Sequence, residues 1–433
     1  METFSSALKY VLPLFFVLML IELIVSKYRN LDVIKSMDAV SSLSSGITNM
    51  LKKALGLTIY IISYDFLLNQ LTVFKIESTA LQYIIGFIAI DFYAYWSHRW
   101  SHEYNILWNR HLVHHSSEEY NLPVALRQTI ADFVQVYTFL LIPAAIFGVT
   151  TDVIIMLGVV MLFGGFWYHT QLIDKLGFLE KIIVTPSHHR IHHAINPVYI
   201  DKNYGGILIV WDKLFGTFQE ELPDVKPVYG ITRQVNTWNP VKINFQHITL
   251  LIKDAWRTSN VWDKFRIWFM PTGWRPADIA EKYPVPYIKD TSKQQKYMPT
   301  ASIYLKVWSW TQLFITFLLT MFLFSQMAAI PKSAVYIYGL FIFLTVYSYT
   351  SLMDRDKYAW LYELIRCAVA FAILSNYGGW FTLHNFFPQG TAVLMVYHIV
   401  SVLVCIAFEY FEFTKDNPTR WSSFSPSVQS TPV

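Results

Sequence analysis

The chain has 433 residues, of which 54% are apolar, 17% aromatic and only 15% charged, a balance that excludes an ordinary soluble protein and points to a membrane protein. Basic over acidic residues leave 34 − 30 = +4, too small and too dispersed an excess for the clustered basic face of a nucleic-acid-binding protein. Cys367 and Cys405 both lie inside apolar runs, which excludes a disulfide framework, a CxxC redox pair and a thiolate metal site.

A membrane-crossing helix needs roughly 20 mostly apolar residues. The first candidate is 11–25, read as a retained anchor because Glu2 and Lys9 make a poor signal-peptide start and no small-residue cleavage site follows. Further apolar runs occupy 54–68, 80–96, 129–149 and 153–168, and after a long polar segment 307–324, 334–353, 359–377 and 391–408. The chain is therefore expected to be an all-α polytopic membrane protein with about nine transmembrane helices. Basic loops stay cytoplasmic. Lys27, Arg29, Lys35, Lys52 and Lys53 follow the first run, so the N-terminus is expected outside. Alternation then places 96–128 and 170–301 inside, the second holding 17 of the 34 basic residues. The loop 354–357 and the tail with Lys415 and Arg420 also fall inside. Segment 170–301, with Trp256, Trp262, Trp268, Pro271 and Trp274, is expected to form a cytoplasmic cap with interfacial amphipathic helices. The expected domains are 1–301, carrying the histidine motifs at 98–193 and the cap, a C-terminal transmembrane bundle at 302–415, and a Ser- and Pro-rich disordered tail at 416–433. No internal repeat is apparent.

Ten of the 13 histidines fall between His98 and His193, where even scatter would put about three. His98 and His102 are four apart; His111, His114 and His115 follow at i, i+3 and i+4; His189, His192 and His193 repeat that spacing; His169 ends the fifth run. Residues three and four apart share a helix face, so each group can aim its imidazoles at one site. Nine nitrogen ligands exceed the four of a tetrahedral zinc but suit two metals with positions open for oxygen or water. His188 also forms an HxxxH with His192, but His189 copies the first HxxHH and is preferred. His247, His384 and His398 lack such partners and are read as satisfied polar or interfacial residues.

The pattern HxxxH, HxxHH and a later HxxHH resembles the membrane fatty acid hydroxylase and sterol desaturase superfamily. The runs HHSSEEYNLPVALRQ from His114 and HHRIHHAINPVYIDKNYGGILIVWDKLFGTFQEE from His188 are similar to its alkylglycerol monooxygenase branch, over residues 84–221. The resemblance implies a non-haem di-iron monooxygenase taking a lipid from the bilayer and O2. It would use tetrahydrobiopterin as electron donor and hydroxylate the carbon beside an ether oxygen to give a fatty aldehyde and a glycerol. It implies the metal ligands His98, His102, His111, His114, His115, His169, His189, His192 and His193, with no further catalytic residue. One position departs: some fatty acid hydroxylases carry a histidine where this chain has Ile173, so one iron would have fewer protein ligands or use a carboxylate or water. The alternative within the same chemistry is a sterol or fatty acyl hydroxylase or desaturase served by an electron-donor protein of the b5 or ferredoxin type. A metal transporter is disfavoured, because transporters place ligands near the bilayer midplane and these spans hold few ionisable residues. The histidines are expected on the cytoplasmic side, of the inner membrane in a bacterium or the endoplasmic reticulum in a eukaryote. Oligomeric state carries no signal.

A metal-bound histidine usually donates its second ring proton to a carboxylate or carbonyl. Glu103, Asp91, Glu118, Glu119 and Asp201 are the expected acceptors, Glu103 also being able to hold the guanidine-like edge of a pterin. A solvated surface glutamate is the competing reading for Glu103. Asp91 and Asp132 fall within apolar runs, where a charge is costly unless it faces a polar partner. Arg127 and Gln128 are expected at headgroup depth, binding a lipid glycerol or phosphate or, in the case of Arg127, merely snorkelling. Asn121 joins them as a candidate cofactor-binding residue. Tyr204, Gly205 and Gly206 either let the chain approach a ligand closely or form an ordinary turn.

Overall fold

Long apolar runs bounded by Ser and Thr caps give helices nearly throughout. The computed structural model describes the backbone of residues 2–414 and side chains from residue 13 onward; the expected disordered tail, 416–433, lies outside the described residues. The chain divides into two units, Met1–Asn236 with Val241–Tyr297, and Thr237–Pro240 with Met298–Val433.

The first unit carries α1 (Glu2–Tyr28), α2 (Ser36–Ala54), β1 (Ile59–Tyr60), α3 (Tyr64–Leu71), α4 (Thr79–Glu103), α5 (Asn105–His115), α6 (Leu122–Ala125), β2 (Val134–Gln135), α7 (Ile142–Ile146), α8 (Thr151–Trp167), α9 (Pro186–His192), α10 (Val210–Phe215), α11 (Pro240–Arg257), α12 (Val261–Arg266) and α13 (Ala277–Lys282). Its frame is α1, α4 and α8, which run in one direction. Thr150 N donates to Gln82 Oε1 (3.2 Å) where α4 and α8 begin. Toward their other ends Phe15 of α1 stacks on Phe166 at 3.8 Å and Glu22 accepts from Thr170 Oγ1 (2.7 Å). Ala89, Ile90, Val153 and Leu157 fill the space between α4 and α8. A β-carbon at Gly86 would stand 2.9 Å from Leu157 Cδ1, so the glycine sets how closely the two helices pack. All three helices thus end where the histidines begin.

Two expected crossings are not single helices. Segment 54–68 leaves α2 at Gly56 (φ 66°), pairs β1 in parallel with β2 through Ile59↔Val134, and forms only the eight-residue α3. Segment 129–149 is a short strand, a 3-10 turn over Tyr137–Leu141 and the five-residue α7. Local chemistry explains both breaks. Asn244 Oδ1 accepts from the amides of Ile130 (2.8 Å) and Ala131 (3.2 Å), which removes those donors from any helical ladder. Pro143 starts α7, and Gly148 (φ 67°) ends it against Phe74 O, where a β-carbon would stand at 2.5 Å. Both segments still carry the chain from the histidine-bearing end of α4, where Arg110 lies 3.7 Å from Asp132, back to the helix starts at Gln82 and Thr150.

In the second unit α14 (Ile303–Gln326), α15 (Lys332–Met353), α16 (Ala359–Tyr377) and α17 (Gly390–Phe408) follow one another. These are the four helices among the described residues that are long and apolar enough to cross a membrane. Nine crossings and a cytoplasmic cap are thus not confirmed among the described residues. At 17 residues, α8 rises about 26 Å, short of the ~30 Å hydrocarbon layer. Inside the second unit a polar network joins all four helices. Arg366 forks onto Glu363, with Nε at 2.9 Å from Oε2, and lies 3.0 Å from His398 Nδ1. Ser348 Oγ donates to Glu363 (2.6 Å) and Gln312 Nε2 to Ser401 Oγ (2.9 Å).

Candidate metal centre

Three helices, the third with its C-cap His193, deliver eight of the nine histidines, and His169 follows the end of α8. α4 brings His98 and His102 on one face. A single extended residue, Tyr104 (φ −118°, ψ 131°), turns the chain into α5. α9 is only seven residues long and buried throughout. It is pinned by the Thr185 cap, whose Oγ1 accepts from His188 N (3.4 Å), and by Arg190. That guanidinium forks onto Glu221 (3.0 and 2.7 Å) and donates to the carbonyls of Thr170 and Ile173 (3.3 and 3.0 Å), tying α9 to the segment after His169.

The nine histidines fall into two groups, His98, His102, His111, His115 and His192 in one and His114, His169, His189 and His193 in the other. Within each group the candidate ligand atoms all lie within 4.8 Å of one another. Each HxxHH divides between the groups at its adjacent pair. His115 and His192 enter the first group while His114 and His193 enter the second, because neighbouring helical residues point about 100° apart.

The second group tests whether the residues fit a metal. His169 Nε2 stands 3.0 Å from His189 Nε2 and 3.2 Å from His193 Nε2, which are 3.1 Å from each other; His114 Nε2 is 3.1 Å from His169 Nε2. A neutral imidazole nitrogen either donates one proton or accepts one, so a closed triangle of nitrogens and a fourth at such distances cannot all be satisfied by protons. A shared cation satisfies them, since two nitrogens about 2.1 Å from one metal and a right angle apart are about 3.0 Å from each other. In the first group His98 and His111 meet at 2.8 Å and His115 and His192 at 3.1 Å, and buried His102 Nε2 has no hydrogen-bond partner.

The outer ring nitrogens fix the tautomer. His98 Nδ1 lies 2.9 Å from Tyr204 O, His114 Nδ1 3.2 Å from Arg127 O and His192 Nδ1 2.7 Å from Lys202 O. With these protons on Nδ1, each Nε2 presents a lone pair inward. Burial, reinforced by repulsion between neighbouring imidazoles, holds His111, His115, His189, His192 and His193 well below the ordinary histidine range and His114 at about 3. The set is thus neutral, the form that binds metal.

Of the five carboxylates expected beside the histidines, only Asp201 meets one, at 3.4 Å from His102 Nδ1. Glu103 is turned round the helix from His102 and pairs with Arg99 Nε one turn back (2.8 Å), so it is not an acceptor for a histidine. Asp91 accepts from Ile207 N, Leu208 N and Trp211 Nε1 (2.7, 3.1 and 2.9 Å), anchoring the segment after Tyr204 to α4. Glu118 takes Gln234 Nε2 and Tyr297 N (both 2.6 Å), Glu119 takes Lys296 Nζ (2.8 Å), and Asp132 takes Lys52. Arg127 has no exposed guanidinium to offer a lipid headgroup. It is buried, donating to Asp38 (3.0 Å), Ser42 (3.2 Å) and Ser116 (3.0 Å), while its carbonyl serves His114. Gln128 is exposed and donates to Ala125 O (3.0 Å). Asn121 Nδ2 holds Val33 O (2.8 Å). Tyr204 presents its carbonyl to His98 and its ring 5.2 Å from His102. Gly205 and Gly206 are where a β-carbon would stand 2.7 Å from Leu208 O and 2.6 Å from Met161 Cε, so they serve close packing of chain on chain. His188 joins neither group; Glu180 lies 3.8 Å from its Nε2.

Three residues carry the site without a sequence signal. Asp38 receives Arg127, Glu22 receives Leu122 N (2.8 Å) and Thr170, and Asp212 receives the amides of Tyr204 and Gly205 (both 2.7 Å). A cavity of about 190 Å³ opens beside the first group, its lining including His102, His115, His192 and His193.

The fatty acid hydroxylase family matches residues 83–217, the stretch that holds all nine histidines. Over 416 residues the chain is 34% identical to Alkylglycerol monooxygenase of Homo sapiens, covering 94% of this chain and 89% of the relative. It is 31% identical over 402 residues to the Xenopus tropicalis protein of the same name, covering 91% and 86%. Ornithine lipid hydroxylase OlsE of Rhizobium tropici is 31% identical over 156 residues, 36% of this chain and 47% of the relative. No solved structure matches the chain significantly.

Proposed function

Because the chain belongs to the alkylglycerol monooxygenase family, within the fatty acid hydroxylases, we propose that it hydroxylates the ether-adjacent carbon of alkylglycerol lipids at two irons held by its nine clustered histidines. The chain is a lipid-modifying oxidoreductase. Its histidine clusters are compatible with non-haem iron. The observation that carries the finer reading is the closed set of imidazole nitrogens about 3 Å apart, which protons alone cannot satisfy.

Bound iron would supply the activation of O2. One oxygen atom enters the C–H bond beside the ether oxygen and the other leaves as water, with two electrons and two protons taken from a tetrahydropterin. The resulting hemiacetal breaks its C–O bond to give fatty aldehyde and glycerol. The chain's own residues bind and exclude. His98, His114 and His192 are oriented by carbonyls, Arg190 and Glu221 hold α9 in place, and Trp108, Leu112 and Ile231 give the cavity an apolar wall that suits an alkyl chain and excludes water. In this reading residues 1–301 are the catalytic domain and 302–415 a transmembrane bundle. The histidine end faces the cytoplasm, as the 17 basic residues of 170–301 favour. A soluble pterin and a bilayer lipid then meet there.

The test is an anaerobically purified, iron-loaded chain given 1-O-alkylglycerol and O2 with and without tetrahydrobiopterin, beside a His114→Ala control. Pterin-dependent fatty aldehyde that the control lacks is expected. Aldehyde formed only with a protein electron donor would replace the pterin. Hydroxylation of a sterol or acyl chain in place of the ether would overturn the substrate.

A further inference from the structure

The cavity beside the first histidine group is mainly apolar along Trp108, Leu112, Ile231 and Leu251, yet two guanidinium groups, Arg233 and Arg275, also line it. His102 Nε2 belongs to the first histidine group, and several other polar groups of the lining are engaged. Arg275 forks onto Asp254 at 2.6 and 3.0 Å. His247 Nε2 lies 2.9 Å from Asn105 O, Asn105 Nδ2 donates to the carbonyls of Ile267 and Trp274, and Asp201 faces His102. Arg233 is different: it is half-buried and makes no hydrogen bond or ion pair with any described residue. The neighbouring carboxylate, Asp254, is already taken by Arg275. A partly desolvated guanidinium without a counter-charge is costly, and its fork of donors suits an oxyanion.

We infer that this cavity is a headgroup site for an anionic ether lipid. Arg233 receives the oxyanion, most simply the phosphate of an alkylglycerol phosphate, while the carbons next to it lie along the apolar wall leading to the histidines. The inference rests on the lipid-oxidising reading above and narrows its substrate to a charged class. Phosphate chemistry could also come from free phosphate; the apolar residues that share the cavity with Arg233 and the histidines favour the lipid.

The test is equilibrium binding to the purified full chain, without turnover. The probes are 1-O-octylglycerol 3-phosphate, neutral 1-O-octylglycerol and inorganic phosphate, against wild type, Arg233→Gln and Arg233→Lys. A charge-assisted contact of this kind is expected to make the phosphate lipid bind about 10- to 100-fold tighter than the neutral lipid. Arg233→Gln should abolish that preference while leaving neutral-lipid affinity unchanged, and Arg233→Lys should restore part of it. Equal affinity for the two lipids in wild type, or equal loss of both in Arg233→Gln, would overturn the inference. Inorganic phosphate binding as tightly as the lipid phosphate would overturn the lipid assignment. Aldehyde formation fails or succeeds independently: a charge preference without ether oxidation removes the proposed reaction alone, and ether oxidation without a charge preference removes this site alone.

Discussion

At the scale of single residues, the site depends on keeping imidazoles neutral and aimed. His114 is aimed by the carbonyl of Arg127, and Arg127 is itself buried against Asp38. Arg127→Met should leave Asp38 as an uncompensated buried charge and cost about 3–5 kcal/mol; thermal unfolding in detergent checks this, and a loss under about 1 kcal/mol would show that the pair is not what holds the site. The buried histidines also set a pH dependence. Their folded pKa values lie below the ordinary 6.5, with His114 at about 3. Between those limits the unfolded chain binds more protons than the folded one, and stability rises with pH there. The metal-free protein should therefore hold its full histidine contribution above pH 6.5 and lose it progressively as pH falls toward 3. Melting temperatures of chelator-treated protein across pH 7 to 4.5 measure this, and a flat profile would contradict the buried, neutral set.

At the scale of elements, α9 and the segment after it are held by close backbone contact. Gly205→Ala places a β-carbon 2.7 Å from Leu208 O and 3.0 Å from Asp212 Oδ2; backbone does not yield cheaply, so the Tyr204 carbonyl should shift away from His98. A loss of about 1–3 kcal/mol with lowered metal content is expected, whereas full metal retention would separate this turn from the site. In the second unit Glu363→Leu strands Arg366 among α15, α16 and α17, and the unit should unfold at markedly lower temperature than wild type. How much of this was legible in the sequence follows from what sequence letters encode. Spacings of three and four bring the nine histidines together, and that pattern is written in the residues themselves. Their orienting partners are mostly carbonyls of Arg127, Lys202 and Tyr204, which have no letter of their own, so carboxylates such as Glu103 and Glu118 drew the expectation instead. Runs 54–68 and 129–149 are apolar enough to suggest crossings, but Gly56, Pro143, Gly148 and the distant acceptor Asn244 break their ladders. In α2 the polar Ser41, Ser42, Ser44, Ser45 and Thr48 are all buried, with Ser45 Oγ, for example, donating to Gln128 O (2.7 Å).

At the scale of the whole molecule, α1, α4 and α8 end at the histidines, and the proposed topology has that end facing the cytoplasm. Both cysteines are buried, so single introduced cysteines report sidedness cleanly. In sealed vesicles of known orientation, a membrane-impermeant thiol reagent should reach Asp224→Cys only from the cytoplasmic face and Glu77→Cys only from the opposite one; both sites are exposed. Labelling of both from one face would overturn the topology. The central claim is that the two histidine groups each hold one metal, and elemental analysis of the purified, iron-loaded chain tests it most directly. Two irons per wild-type chain are predicted, falling to one in His189→Ala and staying at two in His188→Gln. One iron or fewer in wild type, or no loss on removing His189, would contradict it.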